Sequence, residues 1–220
     1  MLITCTQCPP PPVYWSTSCF RHIPDAEKEK WRTDVLHDVY YYGGVGVPLQ
    51  ECDFSGMDFK TANLSRSNLS RAVLKGANLQ ECVFIEADLS GADLSGADLF
   101  KANFSETKLN ETEFAGARLE RANFEGSDMK GAKLGGGNHK HGFFHGVHAQ
   151  GADFKDSDLS DSVFSSADLS GADFTGCKIA RADFSGANLS DCRFDGASGF
   201  ELVIVSDDTI NADVLKRGGC

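Results

Sequence analysis

Cys5-x2-Cys8 followed by Cys19-x2-His22 is the set whose residue types and spacing come nearest to metal chemistry. Thiolate and imidazole ligands paired at such intervals are the donors of a tetrahedral zinc site. Four consecutive prolines, Pro9 to Pro12, stiffen the loop between the pairs, and nothing nearby supplies a core to hold them. The preferred expectation is a flexible Cys- and Pro-rich tail over residues 1–24, with zinc at Cys5, Cys8, Cys19 and His22 as the alternative.

A second cluster, GGGNHKHGFFHGVHAQG over residues 135–151, gathers His139, His141, His145 and His148. Imidazoles sharing one ion must approach it within about 2.0 to 2.1 Å, so the direction in which the scaffold turns each ring decides whether they bind metal. The third candidate chemistry is charge. Thirty-two acids against 21 bases give a net −11, and residues 151–220 alone hold 13 acids and 6 bases, a net −7. No Gly-rich phosphate loop opens a helix, and no Ser-His-Asp set has supporting context. No enzymatic activity and no cofactor are expected.

The scaffold that must position these groups is legible in residues 87–106, ADLSG ADLSG ADLFK ANFSE, a beat of five that suits neither a helix nor a strand. With the large residue of each five called i, these positions run from Phe54 to Phe194 without a phase slip. Small residues such as Ala62, Ala72, Ala77, Ala87, Ala92 and Ala97 stand at i−2. A slower beat of twenty lies over the first. Phe84, Phe104, Phe124, Phe144, Phe164 and Phe184 form one column, and Leu69, Leu89, Leu109, Met129, Ala149, Leu169 and Leu189 another. Four fives per twenty predict a coil with four sides, like positions stacking about 4.8 Å apart.

The A(D/N)Lxx pattern resembles the pentapeptide-repeat family over residues 50–198. The resemblance implies an all-β fold, a right-handed quadrilateral β-helix, here of about seven coils. Because fold does not fix activity, the implied function is general: a non-enzymatic scaffold for protein–protein interaction. Some family members bind DNA gyrase by imitating DNA and so confer quinolone resistance, which makes a DNA-mimicking gyrase or topoisomerase inhibitor the alternative. Against it, the i−1 Asp of Asp88, Asp93, Asp98, Asp153, Asp158, Asp168 and Asp173 exchanges with Asn63, Asn78, Asn103, Asn123 and Asn188, which suggests a backbone hydrogen-bonding role with incidental charge. Lys108, Arg118, Lys133 and Lys178 also interrupt the acids. Direct nucleic-acid binding is not expected.

In this register His139 replaces a leucine and points inward, while His141, His145 and His148 face solvent on different sides. Cys52, Cys82, Cys177 and Cys192 fall at i−2 and read as small buried thiols. With no basic, apolar leader at the start, they favour a cytoplasmic setting. No stretch is apolar enough for a membrane span. On the outside, Phe143 and Val163, one coil apart, with Val83 and Ile85 on the same face, form the expected partner patch.

An open solenoid end invites association. Trp31, Val35 and Val39 recur at helical spacing before a Gly43-Gly44 stop, predicting a capping helix over 25–39 within an N-terminal cap and linker of 25–49. Beyond the repeat, in a cap of 199–220, Phe200, Leu202 and Ile204 alternate as a last strand would, and Asp208 is placed to N-cap a short helix over 209–217. A homodimer through this C-terminal cap is the alternative use of the segment.

Overall fold

A computed structural model describes residues 25–40 and 44–217. The zinc candidates Cys5, Cys8, Cys19 and His22, the glycine stop at Gly43 and the side chain of Trp31 lie outside the described residues. From Pro48 onward the backbone winds as a four-sided β-helix. Every outward i−1 residue makes a parallel bridge to its counterpart twenty residues on, from Pro48 with Asn68 to Lys178 with Ser198. Each side is one bridge wide, so the ladder hydrogen bonds run along the axis from coil to coil. Leu64 N donates to Val83 O at 2.7 Å and Val83 N to Ala62 O at 3.0 Å.

The corners explain the period of five. At each, the backbone N–H at i+3 returns to the carbonyl of i, as Ala62 N does to Phe59 O at 2.9 Å. The residue at i+2 is left-handed throughout, at φ 68° in Gly56 and 66° in Gly96. In this conformation its N–H points along the axis to the next coil, as Arg66 N does to Ile85 O at 2.9 Å. Glycine takes the left-handed region without penalty, yet many corners carry other residues, including Thr61 at φ 62°.

Inside, the columns stack. Neighbouring rings from Phe84 through Phe184 lie 4.6 to 5.1 Å apart and within 3° to 8° of parallel. A second column, Phe154, Phe174 and Phe194, meets the first edge-on, Phe164 against Phe174 at 5.9 Å and 89°. Stacked and T-shaped pairs each add about 0.5 to 1.5 kcal/mol beyond area burial. At Val147 and Ala149 the small and large slots exchange sizes, and both residues stay buried.

Helix α1 spans Asp25–Asp38. Val35 of α1 and Val39 just beyond it join the core, Arg32 Nη2 reaches Ser55 O at 3.2 Å, and Tyr40 Oη donates to Lys60 O at 2.7 Å. The far end departs from the expected strand. Gly199 occupies a large-residue slot at φ 90°, where any Cβ would lie 2.6 Å from Ala180 N, and Phe200–Leu202 form a 3-10 turn. This turn adds a residue, so Ile204 pairs with Asp183 at a spacing of 21, and a further residue between Ile204 and Ile210 brings Ile210 to Asn188 at a spacing of 22. The expected helix over 209–217 shortens to α2, Asp213–Arg217. Asp208 accepts the Ser206 hydroxyl instead of capping a helix.

Candidate functional site

Four outer faces follow from the four i−1 columns, and they differ in charge. One carries Asp53, Val73, Asp93, Glu113, Lys133, Asp153, Asp173 and Arg193, nearly all ionic. The face opposite carries Asn63, Val83, Asn103, Asn123, Phe143, Val163 and Asp183, with a single charge. Here Phe143 stands 50% exposed and bridges directly to a half-buried Val163. Val83 and Ile85 are half-buried on the same face, but three coils away, with Asn103 and Asn123 between. The expected four-residue patch is therefore two separate spots. Ile204, 51% exposed, continues the Phe143 column beyond Asp183. Sequence columns missed it because the extra residue of the 3-10 turn shifts the register.

The acids of the ladders are tied to the backbone. Ser90 N donates to Asp88 Oδ1 at 3.0 Å and Ser65 N to Asn63 Oδ1 at 3.1 Å, the same bond from either residue type. Burial draws Asp93 toward its neutral form, yet hydrogen bonds from Lys75 and Ser95 outweigh it and hold this carboxyl below the usual carboxylate range. Cations one coil away neutralise others: Arg66 meets Glu86 at 3.0 Å and Arg118 meets Asp98 at 3.2 Å.

The histidines do not converge. His141, His145 and His148 are exposed in three different columns, with His145 Nδ1 2.9 Å from Ser165 Oγ. Among the described residues no three His, Cys, Asp or Glu side chains are grouped to hold a metal ion. His139 is fully buried in the column of Leu119 and Leu159. The inward thiols of Cys82, Cys177 and Cys192 donate to the carbonyls of Phe59, Phe154 and Leu169 at 2.7, 2.9 and 3.0 Å, and burial pushes them up to about 12. Thr107, Thr112 and Ser157 use the same slot and bond. No helix among the described residues is long and apolar enough to cross a membrane.

Among solved structures, a pentapeptide repeat protein of the Arabidopsis thaliana thylakoid lumen is 39% identical over 40% of this chain and 66% of its own, with a TM-score of 0.36. This chain thus spans about two thirds of that protein's length. HetL from Nostoc, described as involved in heterocyst differentiation regulation, is 23% identical over 81% of this chain and 98% of its own, TM-score 0.32. QnrB1, a plasmid-mediated fluoroquinolone resistance protein, is 20% identical over 80% and 92%, TM-score 0.48. No curated protein matches. The family model for pentapeptide repeats matches in 8 copies, over residues 67–105, 97–136, 144–179 and 177–199, lapsing only at 137–143 within that span. With the matched segments covering more than half of its length, the chain belongs to the pentapeptide-repeat family and its solenoid is a right-handed β-helix.

Proposed function

We propose that this protein is a non-enzymatic rod that docks a protein partner on its low-charge face, centred on Phe143 and Val163. The observation that carries this reading is a half-exposed phenylalanine bridged to a valine on the one face with a single charge among its outward column. A large aromatic on a stiff, flat surface loses little entropy on contact and serves well as an anchor. The double substitution Phe143→Asp and Val163→Asp leaves the core untouched. Its expected outcome is unchanged unfolding and loss of partner capture from the native cell extract; capture equal to the unsubstituted chain refutes the docking site.

DNA mimicry is the weaker reading. It draws on the net −7 of residues 151–220. The Oδ1 atoms of Asp153, Asp158, Asp168 and Asp173 accept backbone N–H bonds, and Lys155 lies 3.2 Å from Asp173. A free phosphate-like array along a duplex has no such ties. A gyrase supercoiling titration that shows no inhibition at saturating protein disposes of it.

Both ends enter the reading. Residues of α1 cover the first coil, whereas the last coil exposes Leu202, Ile204, Val205 and Ile210 at 45% to 52%. This apolar cluster supports the C-terminal segment as a homodimer seam. Ile204→Lys with Ile210→Lys is expected to convert a dimer to monomer in sedimentation, and a chain already monomeric refutes the seam.

A further inference from the structure

The repeat's inward pattern changes in mid-rod, at the coil spanning residues 135–154. Here the large slot holds His139 and the small slots hold Gly137 and Gly142 where Ala, Ser, Thr or Cys usually stand. These exchanges fit together. A Cβ on Gly137 would lie 2.4 Å from His139 Nε2, and one on Gly142 2.7 Å from Phe144 Cε2. Gly137 thus leaves the room that the imidazole fills, and Gly142 the room for the neighbouring Phe144 ring.

The ring is half satisfied. Nε2 lies 2.9 Å from Leu134 O, and since a carbonyl only accepts, Nε2 carries the proton. Leu134 O also accepts from Ser157 Oγ at 3.0 Å. Nδ1 is buried with no hydrogen-bond partner. A second proton on this ring would place an unpaired N–H and a full charge among Leu119, Leu159, Phe144 and Phe154, none of which titrates. The nearest charges lie outside the wall: Asp158, which attracts the protonated ring, and Lys140, which pairs with Asp158 at 3.2 Å. Burial dominates and drives the imidazole down to about 4 from 6.5.

We propose that this coil is an acid-released joint: a solvent proton taken up by His139 opens the coil, interrupts the rod at its middle and carries Phe143 off the flat face. Each coil of a solenoid is held only by its neighbours, so one coil opens without unwinding the whole. The effect on partner docking rests on the Phe143 reading; the opening itself does not.

Hydrogen exchange on the full chain, corrected for intrinsic rates, tests the joint with no partner present. Between pH 7.5 and 5.0, protection across residues 137–144 is expected to fall about thirtyfold, with smaller changes over 87–104 and 167–184. His139→Leu, the residue type of the coils on either side, is expected to abolish the fall. An equal fall in that variant, or none in the unsubstituted protein, overturns the proposal. Should the leucine variant not fold, NMR of the unsubstituted imidazole decides: a neutral Nε2-protonated ring at pH 5 supports the joint, and a ring titrating near 6.5 refutes it. Loss of docking in the Phe143 and Val163 variant bears on the docking site alone.

Discussion

At the scale of single residues, the left-handed corners carry the most local strain. Thr61 holds φ 62° with a β-branched side chain exposed to solvent. An L-residue in this region pays about 1 to 2 kcal/mol that glycine does not, offset in part by the greater freedom glycine loses on folding. Thr61→Gly is therefore expected to raise stability by about 1 kcal/mol, read as a higher urea midpoint at constant slope. The thiols behave oppositely to a reactive cysteine. Cys82, Cys177 and Cys192 are buried, donate to carbonyls and are pushed up to about 12, so peptide-mapped alkylation at pH 8 should miss all three until urea is added. Labelling of any of them in the native protein would contradict the packing.

The element of this fold is the five-residue side with its corner. Its outward Asp or Asn clamps the corner through one acceptor oxygen, Oδ1, which Asn retains and Ala lacks. Asp88→Ala is expected to cost about 1 kcal/mol and Asp88→Asn close to nothing, because the bond to Ser90 N survives only in the second. Equal losses would mean that the charge, not the acceptor, matters. Inward, Phe124 stacks on Phe104 at 5.0 Å and on Phe144 at 4.9 Å. Phe124→Ala should cost about 3 to 5 kcal/mol by opening a cavity in both stacks. Phe124→Leu, matching Leu64 at the foot of the same column, should cost under about 1.5 kcal/mol. Chemical denaturation of the pair measures both.

For the whole molecule, acid acts in two windows. In each, the unfolded chain binds more protons than the native one, so stability falls as pH falls. His139, down to about 4 from 6.5, contributes in full above 6.5 and loses roughly 1.4 kcal/mol per pH unit toward 4. The clamped carboxyls of Asp53, Asp93, Asp158, Asp168 and Asp173 are lowered from 3.8, so their contribution is fully present above 3.8 and disappears only below it. Stability of His139→Leu should accordingly stay flat from pH 7 to 4.5 while the unsubstituted protein weakens. The exposed ion pairs between coils add little at physiological salt.

The sequence by itself determined the winding. A period of five within twenty leaves one geometry in which every large residue is inward, and the columns Phe84 to Phe184, the inward His139 and the backbone role of the i−1 acids all follow from counting. Counting works because each residue meets the same kind of neighbour one coil away. Tertiary structure decided what counting cannot carry. The turn at Phe200–Leu202 shifts the register, so Ile204 rather than Val203 enters the Phe143 column. Two intervening coils, those of Asn103 and Asn123, part Val83 from Phe143, although one face holds both. Packing alone shows that Gly137 makes room for the His139 ring and that Nδ1 is left bare. A repeat fixes position along a lattice; where the lattice is interrupted, only the atoms in contact determine which groups meet.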